Sequence, residues 1–320
     1  MPVAGRAARD ALRDLHNCCV GVARCATRCC FTRAIKNEKD ITLKYEKKEK
    51  TEKFNYKKRL GQNFLHKKDK VLQIIEKIAP AADETYIEIG PGTGFLTMEL
   101  VDKVKKLHAV EIDREAFDVL KTKFANKTNL DLINGDIMFT DLKAIAGPQP
   151  DGKKIKVIGN IPYYITTPII EKLIENRDFV SRAYLMVQKE VAERITAKEG
   201  SKIYGSLSIF CQYYADCKVL LDIDRSNFVP APDVDSAFIE LDFEKKERIS
   251  VKNEEFFFKV TRGGFMQRRK MLLNNIKREL EIEDAVLRKA FETAGIDEKI
   301  RAEQVSILAF AKLADLLYNP

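Results

Sequence analysis

Tyr86-Ile-Glu-Ile-Gly-Pro-Gly-Thr-Gly94 decides the fold of this 320-residue chain. An apolar segment of strand length runs directly into a glycine-rich turn, and apolar residues then recur at helical spacing from Phe95 to Val104. Glycines that follow a strand let the backbone turn tightly and come close to a ligand. The stretch therefore predicts a strand, a ligand-binding loop and a helix, which together open an α/β fold.

Four further apolar segments continue this pattern toward the C-terminus. They predict strands at 107–112, 130–134, 155–158 and 183–187. A helix is predicted at 114–125, and strands that alternate with helices indicate a doubly wound parallel sheet of the Rossmann-like class. From about Glu244 the pattern is helical only, so we expect an α/β domain at 56–243 and a small all-helical domain at 244–320.

The first 55 residues differ in composition from the rest. The first 35 contain six Arg and no Lys, whereas residues 36–58 form a run rich in Lys and Glu. An Arg-rich leader is typical of an organelle-targeting peptide, but Asp10 and Asp14 interrupt it, so a disordered extension stays open as the alternative. Five of the seven Cys lie within the first 30 residues at spacings unlike those of zinc sites, and no metal is expected.

The overall composition limits the partners. Lys and Arg number 56 against 48 Asp and Glu, and the net charge of +8 is a mild indication of a polyanionic partner. No run of 18 apolar residues occurs, so no membrane span is predicted. Beyond residue 30 only Cys211 and Cys217 occur, which is typical of a reduced cytoplasmic protein. A mitochondrial or plastid location is the alternative if the extension is a transit peptide.

Acidic residues lie at the ends of the second and third predicted strands. Glu111 lies 21 residues past Gly90, and Asp136 comes just after the strand at 130–134. Ligands bind at the carboxyl ends of such strands, where Glu111 could accept hydrogen bonds from ribose hydroxyls and Asp136 from an adenine amine. The loop does not match G-x-G-x-x-G, so a dinucleotide is not expected. Taken alone, both carboxylates could also be ordinary strand-end caps.

Asn160-Ile-Pro-Tyr163 follows the fourth predicted strand and suggests the reaction. The N6 amine of adenine is a poor nucleophile because its lone pair is delocalised into the ring. The Asn160 side-chain oxygen and a backbone carbonyl, fixed by Pro162, can accept its hydrogens and aim the lone pair at the methyl sulfonium of S-adenosylmethionine. Tyr163 offers a ring on which an extruded base can stack. By itself the motif could also be a turn between a strand and a helix.

Phe228-Val-Pro-Ala-Pro232 is a second informative segment. Two prolines stiffen a loop and could project Phe228 so that its ring clamps the other face of the flipped base. The alternative is the entry to an edge strand, with the Phe228 ring in the core.

Six motifs together resemble the ribosomal RNA adenine dimethylase family, and within it the bacterial small-subunit enzymes. They are Gly61-Gln-Asn-Phe-Leu65, Glu88-Ile-Gly-Pro-Gly92, Asn160-Ile-Pro-Tyr163, Gln188-Lys-Glu-Val191, Tyr204-Gly-Ser-Leu207 and Phe228-Val-Pro-Ala-Pro232. The resemblance covers about 57–317. It implies a Rossmann-like methyltransferase domain with a small helical C-terminal domain.

The resemblance also implies residue roles and a substrate. Cofactor contacts are implied for Asn63 and Leu65 in the N-terminal segment and, in the sheet, for Gly90 at the methionine part, Glu111, Asp136 and Asn160. Asn160 would lie at the methyl-transfer point, with Tyr163 and Phe228 holding the target adenine. The implied reaction converts two adjacent adenosines near the 3′ end of small-subunit rRNA to N6,N6-dimethyladenosine in an immature subunit, and a monomer is expected.

Relatives with other roles share part of this pattern. They include methylases of large-subunit rRNA, mitochondrial transcription factors and ribosome-assembly factors without activity. Thr166-Thr-Pro168, Gln267-Arg-Arg-Lys-Met271 and Gly61 resemble the small-subunit branch, whereas the N-terminal extension matches no part of the family. Lys57-Lys-Arg59, Arg268-Arg-Lys270 and Arg278 could contact RNA phosphates or could simply be solvated surface.

Overall fold

The computed structural model describes residues 63–149, 152–244 and 249–318. The 1–55 extension with its cysteines, the basic segment Lys57-Lys-Arg59 and the predicted start of the folded body near Tyr56 all lie outside these residues. What the sequence predicts for them therefore stays a prediction.

The described residues form nine strands and eleven α-helices. The strands are β1 (Phe64–Leu65), β2 (Thr85–Ile89), β3 (Lys106–Glu111), β4 (Leu130–Asn134), β5 (Ile155–Asn160), β6 (Val180–Gln188), β7 (Asp216–Ile223), β8 (Phe228–Val229) and β9 (Ser236–Asp242). The helices are α1 (Lys68–Ile78), α2 (Phe95–Leu100), α3 (Arg114–Lys123), α4 (Leu142–Ala146), α5 (Thr166–Glu175), α6 (Lys189–Thr196), α7 (Ser206–Tyr214), α8 (Glu254–Phe265), α9 (Leu272–Leu280), α10 (Asp284–Ala294) and α11 (Ile307–Leu317).

Seven strands form one sheet in the order β4-β3-β2-β5-β6-β9-β7. Strands β2 to β6 are parallel, whereas β9 pairs antiparallel with both β6 and β7. From β2 the chain moves outward through β3 to β4, and β5 then returns to the other side of β2. A ligand site is expected at the carboxyl ends of β2 and β5, because the direction of winding changes there.

Two hydrophobic clusters cover the two faces of this sheet. Neighbouring residues of a strand point to opposite faces, and along β2 Tyr86 belongs to one cluster and Ile87 to the other. The Tyr86 cluster includes Ile74 of α1, whereas the Ile87 cluster includes Ile170 of α5. Burial on both faces explains why the parallel strands are short apolar runs rather than alternating ones.

The C-terminal helices pack against α7 through aromatic side chains. The ring of Tyr213 lies 5.1 Å from that of Phe257 and 5.3 Å from that of Phe258. Glu254, the first residue of α8, accepts hydrogen bonds from the hydroxyls of Tyr213 at 3.2 Å and Tyr214 at 3.0 Å. These helices thus share one core cluster with the sheet, and the domain boundary at residue 244 stays a prediction.

The predicted α/β Rossmann-like class with C-terminal helices is confirmed, and each predicted strand forms. The prediction of a parallel sheet is incomplete, because β7 and β9 add an antiparallel edge. Antiparallel neighbours need no crossover helix, and no α-helix separates β7 from β9, so the strand–helix alternation that indicates a parallel sheet ends there. Of the helices described, none combines the length and apolar character needed to cross a bilayer.

Candidate active site

A pocket opens at the carboxyl ends of β2, β3, β4 and β5, where the winding of the sheet changes direction. It encloses about 960 Å³ including its open mouth. Six residues singled out from the sequence line it, namely Asn63, Gly90, Glu111, Asp136, Asn160 and Tyr163. The structure thus brings these six together at one site.

The loop between β2 and α2 needs glycine for two separate reasons. Gly90 and Gly92 have φ angles of +64° and +57°, a region that side chains other than glycine rarely adopt. In addition, a Cβ atom on Gly92 would lie 2.3 Å from Cε1 of Phe64. The Phe64 ring therefore rests directly on the loop and brings the segment 63–66 over the pocket.

Glu111 is buried at the end of β3 and holds the glycine loop. Its Oε2 accepts a hydrogen bond from the backbone N–H of Gly92, and its Oε1 accepts one from that of Asp113, both at 2.9 Å. Burial raises the pKa of Glu111 above its ordinary value, while these backbone hydrogen bonds oppose the rise. Each carboxylate oxygen has a further lone pair, so a strand-end cap and a ligand acceptor are compatible roles.

Asp136 lies in a turn after β4 that its own groups organise. Its Oδ1 accepts the backbone N–H of Met138 at 2.8 Å, and its carbonyl oxygen accepts the Thr140 hydroxyl at 2.8 Å. The half-buried carboxylate is thereby fixed on the pocket wall.

Asn160, the last residue of β5, is oriented by the segment that crosses the pocket. Its Nδ2 donates to the backbone carbonyl of Asn63 at 2.6 Å. A carbonyl only accepts, so the amide nitrogen must face Asn63, and Oδ1 is the other arm of the group. Pro162 begins a tight turn in which its own carbonyl accepts from the N–H of Ile165 at 3.1 Å. The Ile161 carbonyl is consequently the candidate for the second acceptor.

Tyr163 is anchored by its hydroxyl. This oxygen lies 2.7 Å from Oγ of the buried Ser236 on β9. Burial raises the pKa of Tyr163, and the hydrogen bond with Ser236 opposes the rise. The ring is thus a neutral group held at a fixed place on the pocket wall.

Phe228 does not line this pocket, and its predicted role in holding the adenine stays a prediction. Its side chain is 2% exposed and belongs to the same core cluster as Leu65. The physical reason is pairing between distant segments, because β8 lies antiparallel to β1 with Phe228 opposite Leu65. The alternative, an edge strand with the Phe228 ring in the core, is confirmed. Leu65 is buried as well and lines a smaller adjoining cavity shared with Gly90 and Asn160.

Glu88 in β2 is a buried carboxylate beside the site that was not singled out from the sequence. This carboxylate is buried, and its Oε2 accepts a hydrogen bond from the Thr97 hydroxyl at 2.7 Å. Burial raises the pKa of Glu88 to about 7, and the nearby charge of Glu111 adds to the rise. An acidic residue in the middle of an apolar strand was the available signal, because charged groups are rarely buried.

The predicted basic face on the C-terminal helices divides into two kinds of residue. The Arg268 guanidinium donates to the backbone carbonyls of Lys202 and Tyr204, the latter at 3.1 Å, and so joins the turn after α8 to the loop before α7. Arg268, Arg269 and Lys270 are all exposed, but within the described residues only Arg268 of the three has side-chain hydrogen bonds. Phosphate contact is therefore better matched to Arg269 and Lys270 than to Arg268.

Fold and pocket together define the class of protein. A Rossmann-like sheet whose strand ends carry a glycine loop, two carboxylates and an Asn-Ile-Pro-Tyr turn is a methyltransferase that uses S-adenosylmethionine. The model of the family described as ribosomal RNA adenine dimethylase matches residues 53–319, and the chain belongs to this family.

Relatives and solved structures agree with this membership. The chain is 40% identical over 284 residues to "Ribosomal RNA small subunit methyltransferase A" of Clostridium botulinum, covering 88% of this chain and 99% of the relative. It is 42% identical to the protein of the same name from Anoxybacillus flavithermus, with 88% and 97% covered. A dimethyladenosine transferase from Plasmodium falciparum is similar in structure, with a TM-score of 0.65, 27% identity and coverage of 78% and 95%. The 23S rRNA methyltransferase ErmE, at 23% identity and a TM-score of 0.63, shares the fold.

Proposed function

We propose that this enzyme dimethylates N6 of two adjacent adenosines near the 3′ end of small-subunit rRNA, within an immature ribosomal subunit. The observation that carries the proposal is the Asn160 amide at the pocket, with its nitrogen bound by Asn63 and its oxygen left for an amine. The choice of small-subunit rRNA rests on the relatives at about 40% identity. Action as a monomer in the cytoplasm belongs to the same proposal.

The hydrogen-bonding groups and the open volume of the pocket fit S-adenosylmethionine. A Cβ on Gly90 would meet nothing nearer than the Asn160 carbonyl oxygen at 4.0 Å, so the loop leaves room for a ligand. Glu111 would bind the ribose hydroxyls and Asp136 the adenine amine, with Asn63 and Gly90 nearer the methionine part. When bound, the cofactor supplies an electrophilic methyl group on a sulfonium.

The chain's own residues would prepare the adenine for attack. In the first transfer, Oδ1 of Asn160 and the Ile161 carbonyl would accept the two hydrogens of N6, which draws the nitrogen toward a pyramidal shape and exposes its lone pair. In the second transfer, one of these oxygens would accept the single hydrogen that remains on N6. Tyr163 would stack on the extruded base and hold it in this position. Among the described residues that line the pocket, none is a histidine. None is needed as a base, because methylation makes N6 cationic and acidic, and its proton then passes to water. Catalysis is then positioning and electrostatics.

Asn160→Ala tests the proposal. We expect it to lower methyl transfer to immature small subunits by at least about a hundredfold, the effect typical of losing one such hydrogen-bonding group. Cofactor affinity should fall much less. Mass spectrometry of the rRNA measures methyl transfer, and calorimetry measures cofactor affinity. Asn176→Ala, which removes a half-buried Asn at the end of α5, is the matched control. Full activity of Asn160→Ala would refute the mechanism, and methylation of large-subunit rRNA by the wild type would refute the substrate.

A further inference from the structure

Phe139 is exposed to an unusual degree beside the pocket. Its side chain is 90% exposed, more than any other large hydrophobic residue in the described part of the chain, where Leu308 follows with 68%. Single exposed apolar residues are common on proteins. Phe139 differs from such residues by its position beside the pocket.

The turn that presents Phe139 is held by other residues. The backbone N–H of Phe139 donates to the Asp136 carbonyl at 3.0 Å, and the Thr140 hydroxyl donates to the same oxygen at 2.8 Å. The Asp136 side chain fixes the N–H of Met138, and the neighbouring Ile137 is buried in the core. The ring is thus displayed from a fixed backbone and contributes little to holding that backbone in place.

This turn borders the mouth of the methyl-transfer pocket. Asp136 and Met138, on the N-terminal side of Phe139, both line the pocket. Lys172 of α5 donates to the Met138 carbonyl at 3.2 Å, which ties the turn to the helix that follows the Asn160–Tyr163 turn. Tyr164, which is 56% exposed, also lines the pocket. Phe139 thus directly follows pocket-lining residues in the chain, and Tyr164 is a second exposed aromatic residue at the pocket.

We propose that Phe139 is a stacking platform for the unpaired RNA base next to the adenosine being methylated. The inference rests on the proposed function, because it supposes an RNA whose target base enters the pocket. Extruding one base removes a stacking partner from its neighbour. An exposed aromatic ring beside the pocket can replace that partner, as rings do in proteins that bind single-stranded nucleic acid. Lys172 places a positive charge close enough to this turn to favour the RNA backbone.

Substitutions at Phe139 test this platform with immature small subunits as substrate. Phe139→Ala should raise KM for the subunit about tenfold, the loss of one base-aromatic stack, and change kcat less than about twofold. Affinity for S-adenosylmethionine should be unchanged because Asp136 and Thr140 hold the turn. Phe139→Tyr and Phe139→Trp should retain the wild-type KM, whereas Phe139→Leu should behave like Phe139→Ala. Val219→Ala, on the edge strand β7 with 42% exposure, is the control.

The outcomes separate this inference from the function on which it rests. A wild type without activity on small subunits would refute the proposed function itself. An active wild type with an unchanged KM in Phe139→Ala, or a wild-type KM in Phe139→Leu, would overturn the stacking role. A photoreactive phenylalanine derivative at position 139 gives an independent readout. We expect it to crosslink to a nucleotide beside the methylated adenosines, and a crosslink to a ribosomal protein instead would overturn the proposal.

Discussion

Gly92→Ala is the substitution whose effect follows most directly from the geometry of the loop. An alanine at φ +57° costs about 1–2 kcal/mol in backbone strain. Its Cβ would lie 2.3 Å and 2.5 Å from two Phe64 ring atoms, so the ring has to move, at a cost of about 1–3 kcal/mol for overpacking. Together, strain and overpacking should lower the free energy of unfolding by about 2–5 kcal/mol.

The displaced ring should also affect cofactor binding. Phe64 is continuous with Asn63, whose carbonyl binds the Asn160 amide at 2.6 Å. Lifting this segment removes one hydrogen bond, with a net value of about 1 kcal/mol, and moves Asn63 away from the pocket it lines. We expect affinity for S-adenosylmethionine to fall by about tenfold or more, measured by calorimetry.

A double-mutant cycle with Phe64→Ala separates the clash from the strain. Without the ring, Gly92→Ala should cost only the strain, so its effect on the free energy of unfolding should shrink by about 1–3 kcal/mol. Gly295→Ala is the matched control, because Gly295 also has a positive φ (+74°) but no atom within 4 Å of an added Cβ. It should lower stability and leave cofactor affinity unchanged. Additive effects of Gly92→Ala and Phe64→Ala, within about 0.5 kcal/mol, would refute the seating of Phe64 on the loop.

Two further predictions concern charge. Burial raises the pKa of Glu88 from 4.5 to about 7, so protonation stabilises the fold below about pH 4.5 and this contribution is lost as the pH rises through about 7. Urea denaturation should show the stability of the wild type falling by about 2–3 kcal/mol more than that of Glu88→Gln between pH 5 and pH 8, and parallel profiles would contradict the shift. Arg269→Ala should reduce the salt dependence of subunit binding by about one phosphate contact with an unchanged Tm, whereas Arg268→Ala should lower Tm. Equal effects of the two on Tm would contradict the division of roles.

The sequence could predict the pocket because its parts depend on local order. Glu111, Asp136 and Asn160 each follow an apolar strand, and the carboxyl ends of parallel strands meet at one edge. Locating the strand ends in the sequence was therefore enough to predict that these side chains lie close together. The positive φ angles at Gly90 and Gly92 are likewise local, and glycine at these positions predicts them.

Features that depend on pairing between distant segments could not be predicted in this way. The pairing of β9 with β6, and of β7 with β9, is set by contacts between separate segments, which hydrophobic periodicity does not show. Arg268 lies in a sequence typical of a phosphate-binding turn, and only the fold brings the carbonyls of Lys202 and Tyr204 within its reach. The charge of a residue was visible in the sequence, whereas its partner was not.

The pairing of β8 with β1 bears on whether Phe228 can hold the target base. Its register opposite Leu65 places both side chains in the core, in the same two-stranded sheet that continues into Asn63. For the Phe228 ring to clamp a base it would have to leave this core, at a cost of about 1.5–3 kcal/mol for exposing a Phe side chain. That step would also pull on β1 and thereby on the carbonyl that orients Asn160. Tyr163 needs no such step, because its ring already lines the pocket and its hydroxyl is anchored on Ser236. We therefore propose that Tyr163 holds the base while Phe228 stays in the core beside β1.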